Sequence, residues 1–184
     1  MAEYPGQLAR THRLFDGRTV TIRPVRPDDF ARERRFLDEL SGESRYLRFQ
    51  KWVSAPNEKL VHFLTDIDYE RHMAFVCTAP GANAEEVVGE ARYVANPDNT
   101  TCDFGVMISD GWHNTGIAGL LMEAIIDAAR SRGLKSMEGQ VLASNATMLR
   151  FARGLGFKEE AVPRDLTILR LVKKLYARHP RGGR

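Results

Sequence analysis

The stretch between residues 101 and 143 constrains this chain most. Residues 101–109 (TCDFGVMIS) read as a strand, and a glycine-bearing turn follows. Ile117, Leu120, Leu121, Ala124, Ile125 and Ala128 then recur at helical spacing until Gly133 ends the run. Residues 136–143 (SMEGQVLA) read as a strand again. A strand, a crossover helix and another strand imply one parallel pair. The strands before it, residues 73–78 (MAFVCT) and 87–94 (VVGEARYV), are joined by short turns at 79–84 and at Asn96-Pro97-Asp98-Asn99, as in an antiparallel meander. The fold class is therefore α+β with a mixed, mostly antiparallel sheet.

The remaining elements fit this frame. Residues 19–25 (TVTIRPV) alternate as a strand, and Pro27-Asp28-Asp29 opens a helix with Phe30, Phe36, Leu37 and Leu40 on its apolar side and Gly42 as its stop. Residues 44–51 suggest a short second helix, and Pro56-Asn57 a third carrying Leu60, Phe63, Leu64 and Ile67. A helix over 147–155 stops at Gly156, and strands at 158–162 and 166–172 close the chain. With 184 residues and 43% hydrophobic side chains, a single domain over 1–184 is expected. Its core spans about 16–176, with loosely held ends at 1–15 and 177–184.

Charge and cysteine usage exclude several classes. The net charge is +3, but three of the 27 basic residues lie in the last eight, ARHPRGGR; without them basic and acidic residues balance at 24 each. A basic tail is not a basic face, so no nucleic-acid partner is expected. Cys77 and Cys102 lack CxxC spacing, and His62 and His72 lack ligand spacing, so no metal site is expected. The start lacks the apolar region of a secretory signal, and no run approaches the ~18 apolar residues that span a bilayer. The expectation is a cytoplasmic protein with reduced thiols and no membrane partner.

The chemistry is concentrated in DFGVMISDGWHNTGIAG, residues 103–119. A helix beginning near Gly116 directs free amides and the positive end of its dipole outward, which favours a phosphate. Gly116 and Gly119 remove side chains where a ligand would come close. There is no GK[ST] and no GxGxxG, so this is neither a Walker A loop nor a dinucleotide fingerprint. Farther on, Asn145 follows a strand and starts a helix, as an N-cap does, and Leu155-Gly156-Phe157 ends that helix.

Together these segments resemble the GNAT superfamily of N-acetyltransferases. The shared pattern is an apolar strand end (Val106-Met107-Ile108), a Q/R-x-x-G-x-G/A loop (here His113-Asn114-Thr115-Gly116-Ile117-Ala118), and N-x-x-M…LGF (Asn145, Met148, Leu155-Gly156-Phe157). The order holds over roughly residues 20–172. The segments Ser44-Arg45-Tyr46-Leu47-Arg48-Phe49 and Asp103-Phe104-Gly105-Val106…Asp110-Gly111-Trp112 resemble the acetyltransferase domain of bacterial protein lysine acetyltransferases.

The resemblance implies acetyl-CoA as cosubstrate, helices on both sheet faces and a monomer or homodimer. It also implies direct attack of a primary amine, from a protein lysine or a small molecule, on the thioester. Val106, Met107 and Ile108 would pair with the pantetheine arm and supply an oxyanion amide. His113, Asn114, Thr115, Gly116, Ile117, Ala118 and Gly119 would form the diphosphate loop, and Asn145 would hydrogen-bond the cofactor. The base on the fourth family strand aligns with Asp103, with Glu90 and Glu138 in reserve. The chain departs from the pattern at His113 and at Asn114-Thr115, which remove positive charge from the loop. Ala152 stands where many members carry a tyrosine acid. These departures keep open a CoA-binding sensor module of the same fold, or an interaction domain that has lost the cofactor. Acceptor recognition is expected from residues 35–53 and the last two strands.

Overall fold

The computed structural model describes residues 3–49 and 56–176. Among them, β1 (Arg10–Arg13), β2 (Thr19–Pro24), β3 (His72–Pro80), β4 (Glu85–Ala95) and β5 (Thr101–Ile108) run as the expected antiparallel meander. β6 (Ser136–Leu142) lies parallel to β5, and β7 (Lys158–Val162) and β8 (Asp165–Lys174) complete one sheet in the order β1-β2-β3-β4-β5-β6-β8-β7. β3 is buried from Met73 to Ala79, and its near-continuous apolar sequence follows from that. A strand covered on both faces has no wet side to alternate toward.

Two layers of helices provide the cover. α1 (Phe30–Glu39), α2 (Gly42–Phe49) and α3 (Glu58–Thr65) lie on one side. There Phe36, Leu37, Val61 and Leu64 pack with Val76 and Met107. α4 (Ile117–Ser131) and α5 (Ala146–Gly154) bury Leu121, Ile125 and Leu149 with Phe75, Tyr93, Met137 and Leu171 on the other. Gly133 closes α4 as anticipated, in the left-handed conformation (φ 78°), and Leu134 N–H returns to the Ala129 carbonyl at 3.1 Å.

Three expectations need correction. Residues 1–15 were placed outside the core, yet β1 pairs with β2 along its whole length, and the Tyr4 hydroxyl donates to the Pro24 carbonyl at 3.2 Å. An edge strand held by its backbone needs no apolar side chains, so RTHR carries no pattern to read. Gly42 begins α2 and does not stop α1; the extended backbone of Leu40 (ψ 140°) does that. Phe63, assigned to an apolar face, is half exposed and rests on the His72 ring at 4.9 Å. The expected continuation of α2 to Lys51 and the tail at 177–184 lie outside the described residues, as does part of the 35–53 acceptor segment.

Candidate active site

The parallel ladder between β5 and β6 is short. It joins Thr101 to Ser136, Cys102 to Met137 and Asp103 to Glu138, then stops, although β6 stays paired with β8 through Leu142 and β5 with β4 through Ile108. Beyond Asp103 the two strands part. Phe104 fills the base of the fork: its ring stacks on Phe157 at 4.9 Å and occupies the space beside Gly139, where an added Cβ would lie 2.6 Å away.

Backbone alternation decides what faces the gap. Ser109 N–H donates to the Val88 carbonyl at 2.9 Å, which turns the peptide groups of Met107 and Gly105 toward β4. Those of Val106 and Ile108 therefore face the opening. The Ile108 carbonyl takes the His113 ring at 3.2 Å (Nε2), so Val106 keeps both an N–H and a C=O for an added chain. Side chains alternate as expected. Asp103, Gly105 and Met107 face the α1–α3 side, where Met107 is buried, while Phe104, Val106 and Ile108 pack toward α4.

At the end of β5 the chain makes a short 3₁₀ turn (Asp110–Trp112) and enters α4 through two left-handed residues, Asn114 (φ 62°) and Gly116 (φ 91°). Gly119 and Leu120 return their N–H groups to the Gly116 carbonyl at 3.1 and 3.3 Å. The amides of Asn114, Thr115, Gly116, Ile117 and Ala118 find no acceptor among the described residues. A Cβ built on Gly116 or Gly119 meets nothing within 4 Å. Open amides, a helix N-terminus and vacant Cβ positions suit a diphosphate. Gly119 contributes this openness, not its amide. Asn145 caps α5, its Oδ1 accepting Met148 N–H at 3.1 Å, and its Nδ2 makes no bond among the described residues.

The carboxylates divide by environment. Asp103 stays exposed at the fork, and its pKa is raised by partial burial and then by the charge of Glu138 beside it. Glu138 is paired with Arg170 at 2.6 Å. Glu90 is buried and held by Arg92 at 2.5 Å, so no acceptor reaches it in this arrangement. Ala152 lies in the core. Burial pushes the thiols of Cys77 and Cys102 up to about 12, which leaves them protonated and unsuited to nucleophilic attack. His62 is tied to Asp66 on an exposed helix face, and burial pushes His72 down to about 4. No cluster of metal-ligating side chains exists among the described residues, and no helix among them is long and apolar enough to cross a membrane.

Sequence reasoning missed two groups here. Arg48 lies over β5 with its guanidinium where a Gly105 side chain would be, so any larger residue at 105 would displace it. Glu33 is fully buried on α1; its position three residues from both Phe30 and Phe36, on the apolar face, was the available signal.

Comparison with known proteins identifies the family. Residues 31–157 match the model of the Acetyltransferase (GNAT) family. An acetyltransferase of Pseudomonas aeruginosa is 36% identical over 154 residues, 84% of this chain and 83% of that protein. The acetyltransferase Pat of Mycolicibacterium smegmatis is 31% identical over 76% of this chain, which spans only 41% of that longer protein. Among solved structures, the GNAT domain of S. lividans PAT superposes with a TM-score of 0.86 at 26% identity, covering 94% of this chain and all of that domain. With a family model covering most of its length and a relative this similar, the chain belongs to the GNAT family of acetyltransferases.

Proposed function

We propose that this protein transfers an acetyl group from acetyl-CoA to a primary amine, as a cytoplasmic enzyme. Acetyl-CoA supplies the activated acyl group as a thioester. The Asn114–Ala118 amides hold its diphosphate, with His113 fastening the loop to the end of β5 and Gly119 leaving it room. The exposed backbone of Val106, flanked by Met107 and Ile108, receives the pantetheine arm as an added strand. Val106 N–H is the donor for the oxyanion that develops at the carbonyl. Asn145 offers its free Nδ2 from the facing strand end.

The attacking amine must first lose a proton. Asp103 takes it, relayed by a water because aspartate is a short side chain, and its raised pKa suits a base closer to neutrality. Glu138 tunes Asp103 by its charge and is itself occupied by Arg170. The SRYLRF and DFGV…DGW segments favour a protein lysine over a small amine as acceptor.

The observation that carries this reading is the parting of β5 and β6 directly beside a row of unpaired amides. Release of free thiol from acetyl-CoA in the presence of a panel of amines and lysine peptides tests it. Turnover with at least one acceptor is the expected result. A second reading, a CoA-binding module without turnover, draws on the lack of any Lys or Arg in the loop 113–119. Heat of CoA binding without thiol release from any amine would favour it, and no heat at millimolar CoA would remove both.

A further inference from the structure

We infer that Arg18, on the hairpin between β1 and β2, is a positioning residue for the amide row at the start of α4. It acts by fixing Trp112. The inference rests on the reading of that row as a diphosphate seat.

The hairpin is a rigid mount. Leu14 N–H donates to the Arg18 carbonyl at 2.8 Å, and Gly17, left-handed at φ 87°, returns its N–H to Leu14 at 3.0 Å. Asp16 then holds Arg18 twice, accepting its backbone N–H at 3.0 Å and its Nε at 2.8 Å, with Nη2 2.6 Å away. So aimed, the guanidinium carbon stands 3.9 Å from the centroid of the Trp112 ring.

Trp112 is where the loop is anchored. Asp110, Gly111, His113, Asn114 and Gly116 are exposed, whereas Trp112 is half-buried and packs on the α4 side of the core. Its N–H donates to the Ser109 carbonyl at 2.8 Å, and its carbonyl accepts the Thr115 hydroxyl at 2.7 Å. Thr115 lies between the two left-handed residues that aim the amides. Asparagine enters the left-handed region more readily than other non-glycine residues, so the turn at Asn114 forms without strain and needs only to be held in place. The contacts Asp16–Arg18–Trp112–Thr115 hold that turn from a hairpin about a hundred positions away in sequence. Asp16 also neutralises Arg18, so the pair brings no net charge to the seat, which points to holding the ring over attracting phosphate.

Calorimetry with CoA and kinetics with two thioesters test the role, with melting curves to confirm that each variant is folded. Arg18→Ala and Asp16→Asn should each weaken CoA binding about three- to fivefold, the size of an exposed cation–π contact. They should raise the KM for acetyl-CoA without lowering kcat. The KM for acetyl-pantetheine, which has no diphosphate, should not move, and Arg18→Lys should restore part of the loss. Unchanged CoA affinity in Arg18→Ala overturns the inference. So does tighter binding in Asp16→Asn, which would mean direct charge attraction, and so does an equal loss for both thioesters. If the unaltered protein binds no CoA, the seat reading falls and takes this one with it; if it binds and Arg18→Ala binds as well, only this inference falls.

Discussion

Glu33 of α1 and Glu90 of β4 meet inside the protein with almost no exposure, and they do not ionise alike. Burial and then the charge of Glu90 push Glu33 well above the usual carboxylate range. Burial also opposes the charge of Glu90, but Arg92 overcomes it and holds Glu90 below its ordinary value. Glu33 is therefore the protonated member of the pair and Glu90 the ionised one. This pair lies on the α1–α3 face of the sheet, Glu90 being directly across from Met107 in the β4–β5 register.

That arrangement gives stability a pH dependence. A raised carboxyl contributes fully below its ordinary value of 4.5 and loses that contribution as pH climbs through the folded-state pKa. Glu33→Gln keeps the size and polarity of the side chain and cannot ionise. The stability difference should be small near about pH 4 and grow in favour of Glu33→Gln as pH rises. Urea unfolding of both proteins across that range reads it; a difference independent of pH would mean that Glu33 is not the protonated partner.

Asp103→Asn should lower kcat by about 10²- to 10³-fold, as expected on losing a general base, with little change in acetyl-CoA affinity. The acid limb of the kcat/KM profile should lie above the ordinary carboxylate range, because burial and Glu138 raise Asp103. Glu138→Gln removes that neighbouring charge and frees Arg170, so the limb should move to lower pH. A limb that stays put in Glu138→Gln would assign it to another group.

Gly119→Ala separates binding from stability. An added Cβ meets no protein atom within 4 Å, and alanine is the better helix former by about 1 kcal/mol. The variant should melt higher than the parent, yet its methyl group enters the space allotted to the diphosphate. CoA affinity measured by calorimetry should fall at least about tenfold, the scale of a steric loss of 1.4 kcal/mol. Unchanged affinity would place the diphosphate elsewhere.

Asp29 should matter for folding and not for transfer. Its carboxylate takes both Arg23 guanidinium nitrogens at 2.7 Å, with both side chains almost wholly buried, and accepts Arg26 N–H at 2.8 Å. Asp29→Ala leaves the buried Arg23 guanidinium with Glu85, 3.0 Å away, as its remaining carboxylate, at a cost of about 3 kcal/mol, the lower end for a broken buried pair. Denaturant unfolding should show that loss, while KM and kcat of the remaining folded protein stay close to the parent values.

What could be read from the chain alone was local or periodic. Helical spacing from Ile117 to Ala128, the strand patterns on either side and the glycines at 116 and 133 sufficed for the crossover, the parallel pair and the place of the amide row, because backbone periodicity and left-handed turns leave marks in sequence. Tertiary structure decided what has no period. It set the residue at which β5 leaves β6, through the packing of Phe104 on Gly139 and Phe157. It buried Glu90 while leaving Asp103 exposed, and it brought Arg18 onto Trp112. Those outcomes depend on side chains distant in sequence competing for the same space and the same desolvation, and no window of neighbouring residues contains that competition.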